Sequence, residues 1–243
     1  MTGCSLTRFP DDVALATSVA DLWLDQIGHA ERTGAAHRVA LAGGRITRRF
    51  LAIAADRARA RGLSLDGVDF FWGDERCVST EDAESNFRLA WETLLEPAGV
   101  PEARIHRVLG ELDPGAAAAL AEQEIRRVLG SFGDSMPVLD LVFLGMGEDG
   151  HVASLFPGAA VEVTDSRCVY VGTTGPKPPP QRVSLTYRAI AAAREVWVLA
   201  SGAGKQAALE QSMSPVPGAE ETPLGRVLRE RSTTRIFTDI AGV

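Results

Sequence analysis

The sequence predicts an α/β fold: a mostly parallel sheet with helices on both faces. Two observations carry that prediction. Short apolar runs of β type alternate along the chain with amphipathic stretches of helical period, which is the pattern of successive βαβ units. One of these runs, 138–144, is almost continuously apolar, as suits a strand buried on both faces of a parallel sheet. With 243 residues, 45% of them hydrophobic and 23% charged, the chain can build a large core without staples, and it reads as one domain over 1–243.

In order, the pattern predicts a helix over 11–31 and a strand over 39–42 that enters Gly43-Gly44. Ile46, Phe50, Ile53 and Ala54 then repeat at helical spacing, followed by an aromatic strand over 68–72. Phe87, Ala90, Trp91, Leu94 and Leu95 mark one face of the next helix, with Ser85 or Asn86 as its N-cap. A short strand is expected over 105–108. An Ala-rich helix over 114–129 follows, with Pro114 in its first turn. After the 138–144 strand come a strand over 168–171, a helix over 186–194, a strand over 196–200 and a helix from Gly202 to Leu209. A loop with Pro215 and Pro217, a helix opened by Thr222-Pro223 and a strand over 235–238 close the chain. No internal repeat occurs.

Composition excludes several function classes. The net charge is −7 and no Lys/Arg block marks a basic face, so a nucleic-acid partner is not expected. An anionic small ligand would need positive charge placed locally. Cys4, Cys77 and Cys168 are odd in number and widely spaced. They form no disulfide framework or zinc motif and fit a reducing cytoplasm. Neither a secretory h-region nor a run of about 18 apolar residues is present, so no membrane segment is expected. No extra apolar stripe calls for an obligate protein partner.

In parallel sheets ligands sit at the carboxyl ends of the strands, so the loops after Ala42, Trp72, Leu144 and Ala200 are the ones to inspect. The loop after Leu144 reads Gly-Met-Gly-Glu-Asp-Gly-His (145–151). Its glycines let backbone approach a ligand, and His151, with Asp149 close enough to support the ring, can take a proton from water. The same loop matches G-x-G-x-x-G, but Pro157-Gly158 leaves no room for the helix a dinucleotide site needs. After Trp72 comes Gly73-Asp74-Glu75-Arg76: read as a turn, it is either a solvated charge cluster or a ligand site in which Arg76 binds an anion or stabilises an oxyanion and Asp74 positions Arg76 or binds sugar hydroxyls. The proline run at 176–180 is a stiff extended arm presenting Lys177 or Arg182. Gly202-Ala203-Gly204-Lys205 places a Lys where a strand turns into a helix, which favours anions. His29, His37 and His106 read as structural. No metal-binding spacing and no G-x-S-x-G elbow occurs.

Taken together, WGDER (72–76) with Ser85-Asn86 downstream, LGMGEDGHVASLFPG (144–158), PKPPPQRVSLT (176–186) and the 202–205 turn occur in the order, and resemble the signatures, of 6-phosphogluconolactonases. The resemblance implies a three-layer α/β/α fold shared with sugar-phosphate isomerases and deaminases. The implied substrate is a phosphorylated sugar lactone, 6-phospho-D-glucono-1,5-lactone of the pentose phosphate pathway, opened with no cofactor. His151 would be catalytic, assisted by Asp149 and Arg76. Substrate and phosphate contacts would come from Gly43, Gly44, Arg45, Asp74, Asn86, Gly147, Arg182 and Lys205. One departure bears on phosphate. Where the family usually has Gly-Gly-Ser-Thr-Pro, this chain has Gly43-Gly44-Arg45-Ile46-Thr47, exchanging hydroxyls for a guanidinium. Ser79 replaces a frequent Pro. Three other readings stand beside this one: a glucosamine-6-phosphate deaminase, a silent sugar-phosphate-binding regulator and a nicotinamide oxidoreductase. The first expects an extra acid after the His, and 152–157 carries none.

Overall fold

A computed structural model describes residues 3–214 and 220–242. Its main sheet has six strands: β1 (Gly3–Arg8), β2 (His37–Leu41), β3 (Val68–Trp72), β5 (Leu141–Gly145), β8 (Glu195–Ala200) and β9 (Thr233–Thr238). They lie in the order β1-β9-β8-β5-β2-β3, every pair parallel. A smaller antiparallel sheet is formed by β4 (Asp74–Arg76), β7 (Gln181–Leu185) and β6 (Tyr170–Thr174), in that order.

The helix α1 (Asp12–Thr33) starts where Asp11 accepts a bond from the Ala14 amide at 2.7 Å and ends at Gly34, φ 68°. Its inward stripe, Leu15, Val19, Trp23 and Ile27, is buried. Trp23 meets Phe50 of α2 (Arg45–Arg61), Phe70 of β3 and Phe143 of β5, with centroids 5.5, 6.4 and 5.5 Å away. Trp197 and Phe237 continue this aromatic layer across β8 and β9. Truncating Trp23 would cost about 3–5 kcal/mol, the usual price of an emptied aromatic core site. On the opposite face, Phe71 stacks on His106 at 4.7 Å. Glu124 of α4 (Pro114–Leu129) reaches that same ring. Helices therefore cover both sides of the sheet. The remaining helices are α3 (Asn86–Ala90), which continues as one π-turn segment over Trp91–Leu95, α5 (Val161–Thr164), α6 (Tyr187–Ala192), α7 (Gln206–Met213) and α8 (Pro223–Glu230).

Several expectations shift. The strand over 105–108 is reduced to one bridge, Phe70 to Ile105. The buried strand begins at Leu141, because the Leu139 carbonyl instead accepts the Arg194 amide. The 168–171 strand runs over Tyr170–Thr174. The proline arm ends in β7, and the acidic turn after Trp72 is β4. These two short strands are legible only once paired with each other. β1 was not anticipated. The helix expected from Gly202 opens as a 3-10 turn, Ala203–Lys205, before α7. The loop with Pro215 and Pro217 lies outside the described residues.

The chain order has one consequence for function. From β2 the chain moves outward to β3, and β5 then adds on the other side of β2. The loops leaving β2 and β5 diverge at this switch point and leave a crevice between them.

Candidate active site

The crevice is a cleft of about 490 Å³ at the carboxyl ends of β2, β3, β5 and β8. The turn after β2 supplies one wall. Gly43 packs against Asn86 so closely that a Cβ would lie 1.9 Å from Asn86 Oδ1. Gly44, at φ 97°, opens α2 without a side-chain cap, leaving first-turn amides for a ligand. Arg45 follows and also lines the cleft.

The β4 strand supplies the second wall. Asp74 is buried, accepting from Ser154 Oγ at 2.7 Å and from Asn86 Nδ2 through its carbonyl at 2.8 Å. Arg76 donates from Nη1 to the Glu84 carbonyl at 2.7 Å and to its carboxylate at 3.0 Å. Between them Glu75 turns inward, 2% exposed. Its carboxylate accepts the amides of Arg76, Asn86 and Phe87 at 2.7, 2.8 and 2.7 Å. Burial pushes Glu75 up to about 7, although those three amides pull the other way. Glu75 thereby fixes the backbone of two lining residues, Arg76 and Asn86. Ser85 caps α3 through the Arg88 amide at 3.1 Å. The charge cluster read from sequence is thus an organised wall, with both acids buried.

The loop after β5 holds the Asp149–His151 pair. His151 Nδ1 donates to Asp149 Oδ1 at 2.5 Å, and the same oxygen accepts the His151 amide at 3.1 Å. A carboxylate only accepts, so Nδ1 carries hydrogen and Nε2 is the nitrogen left over, an acceptor whenever the ring is neutral. His151 lines the cleft, and among the described residues nothing bonds its Nε2. Burial raises the Asp149 pKa, but the His151 bonds outweigh it and the carboxyl stays below its ordinary value. The ring rests on Phe156 at 4.7 Å. Gly147 is not in the cleft lining. It lies behind the pair, where a Cβ would come within 2.0 Å of His151 Nδ1. Gly150 takes φ 77°, and its carbonyl accepts the Leu224 amide at 3.0 Å, anchoring the loop to α8. Ala153, a lining residue, is held at φ 49°, a conformation costing a non-glycine residue about 1–2 kcal/mol. Strain of this kind gathers at functional sites.

Lys205 and Arg182 complete the positive lining. Burial lowers the Lys205 pKa and neighbouring Arg45 lowers it further. Burial also lowers that of Arg182, with Arg76 adding to the effect. Residues that the sequence reading did not single out also line the cleft: Asp12 with Arg49, paired at 3.0 Å, and Ser201 with Asp239, bonded at 2.7 Å. No motif marks them, because α1, β8 and β9 meet here only through strand order. Among the described residues no cluster of His, Cys, Asp or Glu could hold a metal ion. No helix there is long and apolar enough to cross a membrane.

Comparison with known proteins bears on the family and the fold. Residues 10–236 match the family described as glucosamine-6-phosphate isomerases/6-phosphogluconolactonase. The chain belongs to that family. Within it, a 6-phosphogluconolactonase of Mycobacterium tuberculosis is 32% identical over 98% of this chain and 97% of its own length. The crystal structure of 6-phosphogluconolactonase from Leishmania guyanensis superposes with a TM-score of 0.84 at 28% identity, covering 99% of this chain and 98% of that one. A monomeric glucosamine-6-phosphate deaminase gives a TM-score of 0.80 at 16% identity, covering 96% of each chain. That last likeness is one of fold alone.

Proposed function

We propose that this family member hydrolyses 6-phospho-D-glucono-1,5-lactone to 6-phospho-D-gluconate, with His151 as the general base, in the oxidative pentose phosphate pathway. The observation that carries this reading is the Asp149–His151 pair, with Nε2 free at the cleft and positive side chains around it. The lactonases among the family's relatives support the substrate.

The geometry supports the following chemistry. Water held against Nε2 loses a proton to His151 as its oxygen attacks C1. Asp149, kept ionised, stabilises the imidazolium that forms. Charge builds on the carbonyl oxygen, and Arg76 is placed to receive it. Collapse breaks the bond from C1 to the ring oxygen, which takes the proton back from His151. Arg45, Lys205 and the amides after Gly43-Gly44 receive the phosphate. Asp74 and Asn86, locked together, meet sugar hydroxyls. The three cysteines are all free thiols, which suits work in a reducing cytoplasm. The deaminase reading gains nothing from the site, since no acid follows His151 before Pro157.

The test is the hydrolysis of freshly generated lactone, read through 6-phosphogluconate dehydrogenase with spontaneous opening subtracted. Turnover well above the spontaneous rate is expected. A rate equal to background, with 6-phosphogluconate still bound, would sink the lactonase reading and leave a sugar-phosphate-binding regulator.

A further inference from the structure

Apart from Arg49, which is paired with Asp12, the Arg and Lys side chains lining the cleft fall into two groups. Lys205 feels Arg45, Asp239 and Glu148. Arg182 feels Arg76, Asp74 and Glu84. The sets share no member. Arg182 faces Arg76 directly, because β4 and β7 pair in a register that sets the two opposite. Its guanidinium carbon lies 5.7 Å from the centre of the Phe156 ring. That ring also packs against His151, so Phe156 ties Arg182 to the hydrolytic end of the cleft.

Arg182 is also badly paired. It is 7% exposed. Among the described residues its one hydrogen bond runs from Nη2 to the Lys177 carbonyl at 3.3 Å. Its Nε is buried without an acceptor, as is that of Arg76. Room for this side chain is deliberate at the level of sequence, since a Cβ at Gly175 would lie 2.7 Å from Nε. A buried guanidinium with donors to spare is costly to keep. Arg76 beside it is half-buried and spends Nη1 on Glu84, so what this pair of arginines leaves unmatched is the two buried Nε donors, which an anionic ligand oxygen would satisfy.

We propose that the cleft contains two separate anion sites, and that Arg182, with Arg76, binds the carboxylate created at C1, while Arg45 and Lys205 hold the phosphate. The proposal rests on the lactonase reading and divides its charges. The substrate carries one anionic group, the phosphate. During attack a second negative charge appears on the carbonyl oxygen. After the C1–O bond breaks and the ring oxygen is protonated, C1 is a carboxylic acid that releases its proton to solvent and remains as a carboxylate. Arg182 is thus matched to charge that the ground-state lactone lacks, which is where binding lowers a barrier. The same match makes the product a better ligand than an analogue that is uncharged at C1.

The experiment compares two ligands by calorimetry: 6-phosphogluconate, and glucitol 6-phosphate, which has the same chain with a hydroxymethyl group in place of the carboxylate. Wild type is expected to favour the gluconate by about 10-fold or more, the worth of a charge-assisted pair. Arg182→Met is expected to erase that margin while leaving glucitol 6-phosphate within about twofold, which also shows that the variant folds. Lys205→Met is expected to weaken both ligands alike. Should Arg182→Met fail to fold, Arg182→Lys keeps the charge, loses the fork and is expected to reduce the margin. Equal weakening of both ligands in the Arg182 variant overturns the assignment and returns Arg182 to the phosphate. A wild type that binds neither ligand overturns the lactonase reading as well.

Discussion

His106 and His151 both sit against a carboxylate, yet their surroundings give them opposite capacities. His106 is 6% exposed at its side chain. Both of its ring nitrogens are taken, Nδ1 by Glu124 at 2.8 Å and Nε2 by Asp69 at 3.3 Å. Its face is closed by Phe71. With no nitrogen left over, it can only bolt α4 to β3. His151 uses one nitrogen on Asp149 and presents the other to the cleft. A histidine beside an acid is therefore no sign of catalysis by itself. What matters is whether the second nitrogen is free and where it points.

The largest effect that would test this contrast comes from the two alanine variants. His151→Ala is expected to lower kcat/KM by about 10²- to 10⁴-fold, the usual worth of a general base. His106→Ala is expected to leave kcat/KM nearly unchanged while lowering Tm, with about 1–3 kcal/mol lost from the groups it leaves unpaired. Comparable losses of turnover from both would break the comparison. Next, Asp149→Asn keeps an acceptor for Nδ1 but removes the charge that stabilises the imidazolium. Steady-state kinetics should show a fall of about 10²-fold, at the low end of the same range. An unaffected rate would mean that Asp149 only shapes the turn. Gly147→Ala is a subtler probe, since it adds one methyl behind the pair, where a Cβ would meet His151 Nδ1 at 2.0 Å. It should lower kcat with little change in the affinity for inorganic phosphate.

The smallest effect is electrostatic and belongs to His106's partner. Glu124 is held at about 2, mainly by its bond with Arg127, against burial and with help from His106. A carboxyl depressed from 4.5 to about 2 contributes stability at pH values above 4.5 and loses it as pH falls through 2. The Tm gap between wild type and Glu124→Gln should therefore be full at neutral pH and close between those values. The Arg127 side chain is 68% and that of Glu124 36% exposed, so solvent screens the pair and the gap should be modest and shrink with salt. A gap that stayed constant to pH 2 would assign the loss to packing.

The residues of the site were legible where chemistry dictates spacing. Asp149 and His151 lie two apart because a tight glycine turn lets one carboxylate serve both the ring and the backbone amide of His151. Gly43 and Gly44 advertise a close approach, and the structure supplies the reasons, Asn86 against one and φ 97° at the other. Glu75 was the chief omission. In sequence it is one more acid in Trp-Gly-Asp-Glu-Arg. Strand alternation is the signal that could have found it: once 74–76 is extended, Glu75 must face away from Asp74 and Arg76, inward.

The sequence by itself determined the α/β class, the main helices, the buried central strand and the loop that carries the Asp149–His151 pair. Those follow from local rules: apolar period, caps, glycine where a side chain cannot fit. The tertiary structure decided what local rules cannot encode. Strand order brings Asp12 of α1, Ser201 after β8 and Asp239 after β9 to one cleft. The β4–β7 register sets Arg76 across from Arg182. Residues more than a hundred positions apart become neighbours only through pairing and packing, and the electrostatics of a site depend on distance in space.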